Sequence, residues 1–381
     1  MLKTVMENGR ISSPQQTACD DPVKAAQPMP EAALASPTEL GVREWADYDL
    51  VIDARSPKEF AEDHVPGAVN LPVVDDDQFA EVGTRHRTDQ HSAYLIGVEY
   101  SLRNIADQIK PLISRYDNSN RFLVYCFRGG KRSRLWADNL RTIGFEVEVL
   151  AGGWKRYRQW VRDALTTIAP KLQYRVLTGP TGCGKTRLLG ELKRQGQQVL
   201  DLEDVACHRG SLLGDIPDVP QPTQKKFDSR LLEILRRMDP HRPVWIEAES
   251  KKIGNLQLPE GLFDAMHRAP VVQVETPMAA RVQLWREDYA HFAAEPLAMV
   301  DKLMPLKPLV GNKTLLLWRE LAQDGQVDAL FENVMARHYD PCYARSTGRN
   351  YGDGREARVV VLEGVCEEHL RATVGRLLVA D

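Results

Sequence analysis

The stretch that decides the fold is Arg175-Val-Leu-Thr-Gly179-Pro-Thr-Gly182-Cys-Gly184-Lys185-Thr186. A short apolar run, Arg175–Leu177, enters a glycine-rich loop, and helix-forming residues follow. The segment therefore reads strand, loop, helix, which is the context that the pattern GxxxxGK[ST] requires. Backbone N–H groups of such a loop cradle a di- or triphosphate. Gly179, Gly182 and Gly184 let the chain curl, Lys185 pairs with the phosphate oxygens, and Thr186 is placed to hold Mg²⁺.

Downstream, short strands are expected near Val199–Leu200, Val244–Ile246 and Val271–Val274. Beyond Thr276 the pattern is mainly helical, over 277–292, 297–307, 314–323 and 326–337, with a late strand at 358–362. Upstream, Ala169-Pro170 marks a boundary. Before it, strands are expected at 50–53, 68–71, 121–125 and 147–150. Helices are expected from Ser56-Pro57, over 98–114, over 131–143, and over 154–165. Strands alternating with helices imply α/β architecture with parallel sheets covered on both faces. Residues 1–40, rich in Pro, Ala, Gln and Ser without a hydrophobic period, read as a disordered tail. Residues 41–167 read as a first domain, and 172–381 as a phosphate-loop domain with a helical C-terminal region.

Composition agrees with a globular chain of about two domains: 381 residues, 43% hydrophobic and 27% charged. Lys and Arg number 50 against 53 Asp and Glu, a net −3, so nucleic-acid contact has to come from a local patch. No apolar run approaches the ~18 residues of a membrane span. The N-terminus lacks the charged-then-apolar pattern of a secretory signal, and six scattered cysteines form no CxxC pair. A cytoplasmic setting with free thiols is expected.

A second loop, Tyr125-Cys126-Phe127-Arg128-Gly129-Gly130-Lys131-Arg132-Ser133, also joins a strand to a helix. The helix N-terminus, a ring of backbone N–H groups and Arg128, Lys131 and Arg132 all favour a thiolate at Cys126. Such a thiolate is a nucleophile. This first domain resembles the rhodanese family through Asp53–Phe60, His64–Pro72, the Cys126 loop and Leu150–Trp154. The resemblance implies a rhodanese-like parallel-sheet domain followed by a P-loop NTPase-like α/β domain with a helical C-terminal part. Sulfurtransferases of that family have a six-residue loop, whereas Cys126 to Arg132 spans seven, a width suited to phosphate or selenophosphate.

Asp201, Glu203, His208 and Arg209 follow a strand end, and Glu247 and Glu249 end another, where α/β sites collect. They are candidates for metal-proximal or supporting roles, with helix capping and turn formation as the alternative for each. Which metal, if any, the residues leave open. Arg134, Lys155, Arg156 and Arg158, interleaved with Trp136, Trp154, Tyr157 and Trp160, could hold an RNA backbone or simply face solvent.

Taken together, the chain after residue 40 is similar to the tRNA 2-selenouridine synthase family. The resemblance is carried by residues 126–133, 182–186, 201–211, 247–254 and 338–343. It implies a transferase that replaces sulfur by selenium in 2-thiouridine at the tRNA wobble position. The route implied passes through an S-geranylated intermediate, with geranyl diphosphate and selenophosphate as co-substrates and no membrane partner. Two rivals remain: a cysteine-dependent phosphatase using Cys126 and Arg132, and a nucleotide-gated tRNA-binding protein.

Overall fold

The computed structural model describes residues 34–350 and 357–379. Of the tail expected over 1–40, positions up to 33 lie outside the described residues. The remainder differs from expectation. Pro37–Leu40 is a 3₁₀ turn whose Ser36 and Glu39 cap each other, and Leu40 is buried. Ser-x-x-Glu is a capping-box signature that the Pro- and Ala-rich surroundings obscure.

The first domain is a parallel sheet of β1 (Leu50–Asp53), β2 (Ala68–Asn70), β3 (Arg121–Tyr125) and β4 (Glu146–Val149), in the order β2-β1-β3-β4. β1 is buried throughout, as a strand covered on both faces must be. Helices Asp76–Thr88 and Gln90–Ile113 connect β2 to β3, and Lys131–Ile143 connects β3 to β4. The first of these was not apparent from periodicity, because it buries no residue.

The second domain contains β5 (Gln173–Thr178), β6 (Gln198–Leu200), β7 (Pro243–Glu247), β8 (Lys252–Ile253), β9 (Leu256–Gln257), β10 (Val271–Glu275) and β11 (Arg358–Val361). β8 and β9 form a small antiparallel hairpin. The others form a parallel sheet in the order β11-β10-β5-β7-β6. β5 lies between strands laid down on opposite sides of it, and ligand crevices open at the carboxyl ends of strands at such a reversal. Between β10 and β11 the chain inserts helices with a core of their own, built on Trp285, Trp318 and Phe331.

The domains share a core. One apolar cluster runs from Val51 and Tyr125 through Tyr157 and Trp160 to Phe227 and Ile246. Helix Gly153–Ile168 of the first domain packs against helix Gln224–Leu235 of the second. Within that contact Arg158 donates to the Lys225 carbonyl (2.9 Å), the Ser229 hydroxyl (2.9 Å) and Asp228 (2.8 Å), and lies 3.6 Å from Asp63. Its side chain is only 5% exposed. Burial pushes the Asp63 carboxyl up to about 6, against the opposing pull of Arg158 and of hydrogen bonds from Ser229 and Trp154.

Removing one partner of a buried charge network costs about 3–5 kcal/mol, so Arg158→Ala is expected to lose that much stability in urea unfolding. The loss depends on pH. The folded Asp63 carboxyl has its pKa near 6 instead of the ordinary 3.8, so the cost of ionising it grows as pH rises through that interval and is constant above. Arg158 restrains that cost, and the deficit of Arg158→Ala should be larger at pH 7 than at pH 5.

Candidate active sites at two strand ends

β3 delivers Cys126 to the rim of the first sheet, where it is 3% exposed. The chain then turns through Gly129 at φ 65°, where a Cβ would stand 2.6 Å from the Leu150 carbonyl oxygen. A Cβ on Gly153 would meet the Cys126 carbonyl oxygen at 2.2 Å. Only glycine permits this approach of Gly152-Gly153 beneath the loop. The approach lets Trp154 N–H donate to the Cys126 carbonyl (2.9 Å) and Lys155 N–H to that of Phe127 (3.0 Å). With the loop carbonyls satisfied from below, its N–H groups turn inward: Gly130 N–H donates to Cys126 Sγ at 3.3 Å. The Ser133 hydroxyl lies 3.4 Å from the same sulfur. Burial raises the thiol, but Ser133 and the N–H groups of Ser133, Arg128 and Gly130 outweigh it and hold Cys126 below its ordinary value.

The three cations expected at this loop part company. Arg128 lies over the Phe127 ring and Lys131 over Tyr94, with Nζ 3.5 Å from the ring centroid. Arg132 is committed to Glu59 at 2.6 Å and leans on Phe79. The thiolate is therefore stabilised by the hydroxyl and N–H groups instead of by an arginine reaching over it. Among the RNA candidates, Arg134, Lys155 and Arg156 are exposed, while Arg156 also donates to the carbonyls of Glu39 and Leu40. The reading of Arg158 as an RNA contact is corrected by its burial between domains, where its donors are already used.

At the end of β5 the second loop leads into helix Lys185–Arg194, with Gly179, Gly182 and Gly184 all at positive φ. Lys185 Nζ donates to the Gly179 carbonyl at 2.9 Å. Burial disfavours its ammonium, yet Cys183, Tyr343, Glu247 and Glu203 together raise it above the usual lysine value. Glu203, Glu247 and Glu249 converge beside it, each offering a carboxylate oxygen within 4.8 Å of the others. Thr186 Oγ1 is 3.5 Å from Glu203. Burial, then mutual repulsion, pushes Glu203 up to about 8 and Glu247 well above the carboxylate range; burial is the main cause for Glu249, at about 7.

Asp201 and His208 stand apart from this group. Asp201 caps helix Leu202–Ala206 through Asp204 N–H (2.9 Å). His208 accepts from Gly210 N–H (3.1 Å) at Nδ1 and faces Asp215 with Nε2 (3.4 Å), holding the loop that carries Arg209. Arg209 lines the cavity and stacks on Tyr289.

The cavity over this loop measures about 410 Å³. Its roof comes from the inserted helices: Trp285, Tyr289, Tyr339 and Tyr343. The Trp285 indole packs on Gly182, Gly179 N–H donates to the Tyr343 hydroxyl, and Arg281 joins Asp340 (2.6 Å) to the Thr181 carbonyl (2.7 Å). Sequence reasoning did not select Arg281, Trp285 or Tyr289. Their spacing along one helical face was the available signal. The glutamates fit a hard divalent cation: all donors are oxygens, and Glu247 Oε1 is buried without a hydrogen-bond partner.

Two family models match the chain: a rhodanese-like domain over residues 38–159, and a tRNA 2-selenouridine synthase AAA domain over residues 172–302. A tRNA 2-selenouridine synthase of Nitrosomonas europaea is 35% identical over 272 residues, covering 70% of this chain and 69% of the relative. That of Nitrosomonas eutropha is 34% identical, covering 69% and 68%. That of Aeromonas salmonicida is 35% identical over 342 residues, covering 80% and 89%.

The Cys126 environment can be titrated directly. Alkylation of Cys126 by iodoacetamide, followed by peptide mass spectrometry, should show a midpoint pH below that of an ordinary thiol. Ser133→Ala should move the midpoint upward, and an unmoved midpoint would mean the hydroxyl does not hold the thiolate.

Proposed function

The chain belongs to the tRNA 2-selenouridine synthase family, and we propose that it replaces sulfur by selenium in 2-thiouridine at the tRNA wobble position. It acts as a transferase in the cytoplasm, first with geranyl diphosphate and then with selenophosphate. The observation that carries this reading is that one chain holds two anion cups of different chemistry. One is centred on a thiol held below its ordinary pKa, the other on a lysine beneath an aromatic roof.

A thiocarbonyl sulfur leaves poorly, and S-alkylation turns the base into an electrophilic thioimidate from which a thiol can depart. In the first step sulfur attacks the allylic carbon of the prenyl donor. A C–S bond forms, the C–O bond breaks, diphosphate leaves and the base gives up its N–H proton. Lys185, Thr186 and the loop N–H groups stabilise the charge gathering on the departing diphosphate. The rings of Trp285, Tyr289 and Tyr339 cover the apolar chain and favour positive charge at the allylic carbon. Mg²⁺ held by Glu203, Glu247 and Glu249 would neutralise part of the diphosphate charge. In the second step a C–Se bond forms at C2 as the C–S bond breaks and the geranyl thiolate departs. Cys126 and its loop bind selenophosphate, or carry its selenium, during this step.

The phosphatase reading needs the arginine of the Cys126 loop aimed at a phosphate. Arg132 is instead paired with Glu59, which favours a role in holding the helix start. A nucleotide-gated RNA binder would show tight ATP or GTP binding with unchanged tRNA composition.

Mass spectrometry of tRNA nucleosides separates the steps. Cys126→Ala should accumulate geranylated thiouridine, whereas Lys185→Ala should form little of it; identical profiles, or normal selenation in either, would defeat the assignment. With pyrophosphate present, Mg²⁺ should raise the melting temperature of the native chain by several degrees and that of Glu247→Gln by clearly less.

A further inference from the structure

The two cups are joined by an unbroken path of contacts. Phe127, adjacent to Cys126, stacks on Trp154 with ring centroids 5.7 Å apart. Over Trp154, on the other domain, stands Lys225, with Nζ 5.2 Å from the ring centroid and 2.5 Å from Glu62. The neighbouring Gln224 binds the main chain of Gln257 in both directions, donating to its carbonyl (2.9 Å) and accepting from its N–H (2.8 Å). Gln257 pairs across the hairpin with Lys252, whose carbonyl accepts from the Ser250 hydroxyl. Ser250 lines the cavity over Lys185.

This bridge is rigid on its inner side and polar on its outer side. Ile253 and Leu256 of the hairpin β8–β9 are buried in the shared core, while Lys252 and Gln257 face outward. Gln221 pins the turn by donating to the Ile253 carbonyl (3.0 Å) and accepting from Asn255 N–H (2.8 Å). Lys225 remains 43% exposed, and Lys155 is exposed on the first-domain side. The neighbouring acids are occupied: Glu62 by Lys225 and Asp228 by Arg158. In a chain of net charge −3, this leaves a local strip of cations and amides between the sites.

We propose that the hairpin β8–β9 and the first turn of helix Gln224–Leu235 form the bearing surface for a single-stranded RNA loop. Lys155, Lys225 and Lys252 hold its phosphates while one splayed base moves between the Lys185 cavity and Cys126 without release of the RNA. Mixed lysines and amides without an apolar patch suit a sugar–phosphate backbone better than a protein surface. The inference rests on the proposed function and adds the path by which one base reaches both sites.

The test uses the full chain and unmodified tRNA carrying 2-thiouridine. Lys155→Ala and Lys252→Ala should each weaken binding about 3- to 10-fold and reduce the slope of log affinity against log salt by about 0.7, the share of one single-strand phosphate contact. Binding of pyrophosphate, and the pH midpoint of Cys126 alkylation, should not change. The double variant should also release geranylated tRNA into solution during turnover. Native affinity and salt slope in the double variant would overturn the surface while leaving the function intact. Failure of the native chain itself to bind tRNA would overturn the functional reading. Weakened binding of a protein, with tRNA binding unaltered, would assign the strip to a protein partner and overturn the proposal.

Discussion

Two backbone hydrogen bonds set the geometry of the molecule: Trp154 N–H to the Cys126 carbonyl and Lys155 N–H to that of Phe127. Each is worth about 1 kcal/mol net, a small energy, but together they decide which way the loop's own N–H groups point. They also tie the loop to the start of a helix whose next turn carries Arg158 into the second domain. The thiol cup and the domain interface are thus opposite ends of one rigid element. Displacing that helix would disturb the anion ring and the interdomain charges at once.

The phosphate cavity obeys a different constraint. Three glutamates and a lysine are gathered where burial penalises every one of their charges, and the carboxyl groups respond by shifting far upward. Glu247 keeps one oxygen without a partner. Such a cluster is a poor way to stabilise a fold and a good way to meet a charged ligand, since the ligand supplies what the empty arrangement lacks. The roof is braced independently through Arg281, Asp340 and the Thr181 carbonyl, so the aromatic walls hold their place without relying on those acids.

What the sequence disclosed followed from local physics. Strand, glycine loop and helix around Lys185 and around Cys126 were legible because each motif is contiguous and its context is short. Parallel sheets followed from the alternation of elements. Partners chosen by tertiary packing were not legible. Nothing local tells that Arg132 turns to Glu59, that Arg158 is buried while Lys155 is exposed on the same helix, or that Trp285 covers Gly182. Helix Asp76–Thr88 escaped notice because it buries nothing, so no apolar period marks it. The cluster of Glu203, Glu247 and Glu249 lay between these extremes. Each acid follows or ends a strand, which placed it near the crevice, but only the strand order β7-β6 beside β5 brings the three together.

The sheet order also bears on how the protein is made. β10 pairs with β11, yet the inserted helices separate them by more than eighty positions. At ribosomal speeds of about 5–20 residues per second, the outer edge of β10 waits roughly 4–16 s for its neighbour to emerge. An uncovered strand edge is a template for pairing with another chain. The insert, with a hydrophobic nucleus of its own, can condense during that interval and shield the waiting edge. The helices that roof the cavity in the mature enzyme would then serve the nascent polypeptide as a temporary guard against aggregation.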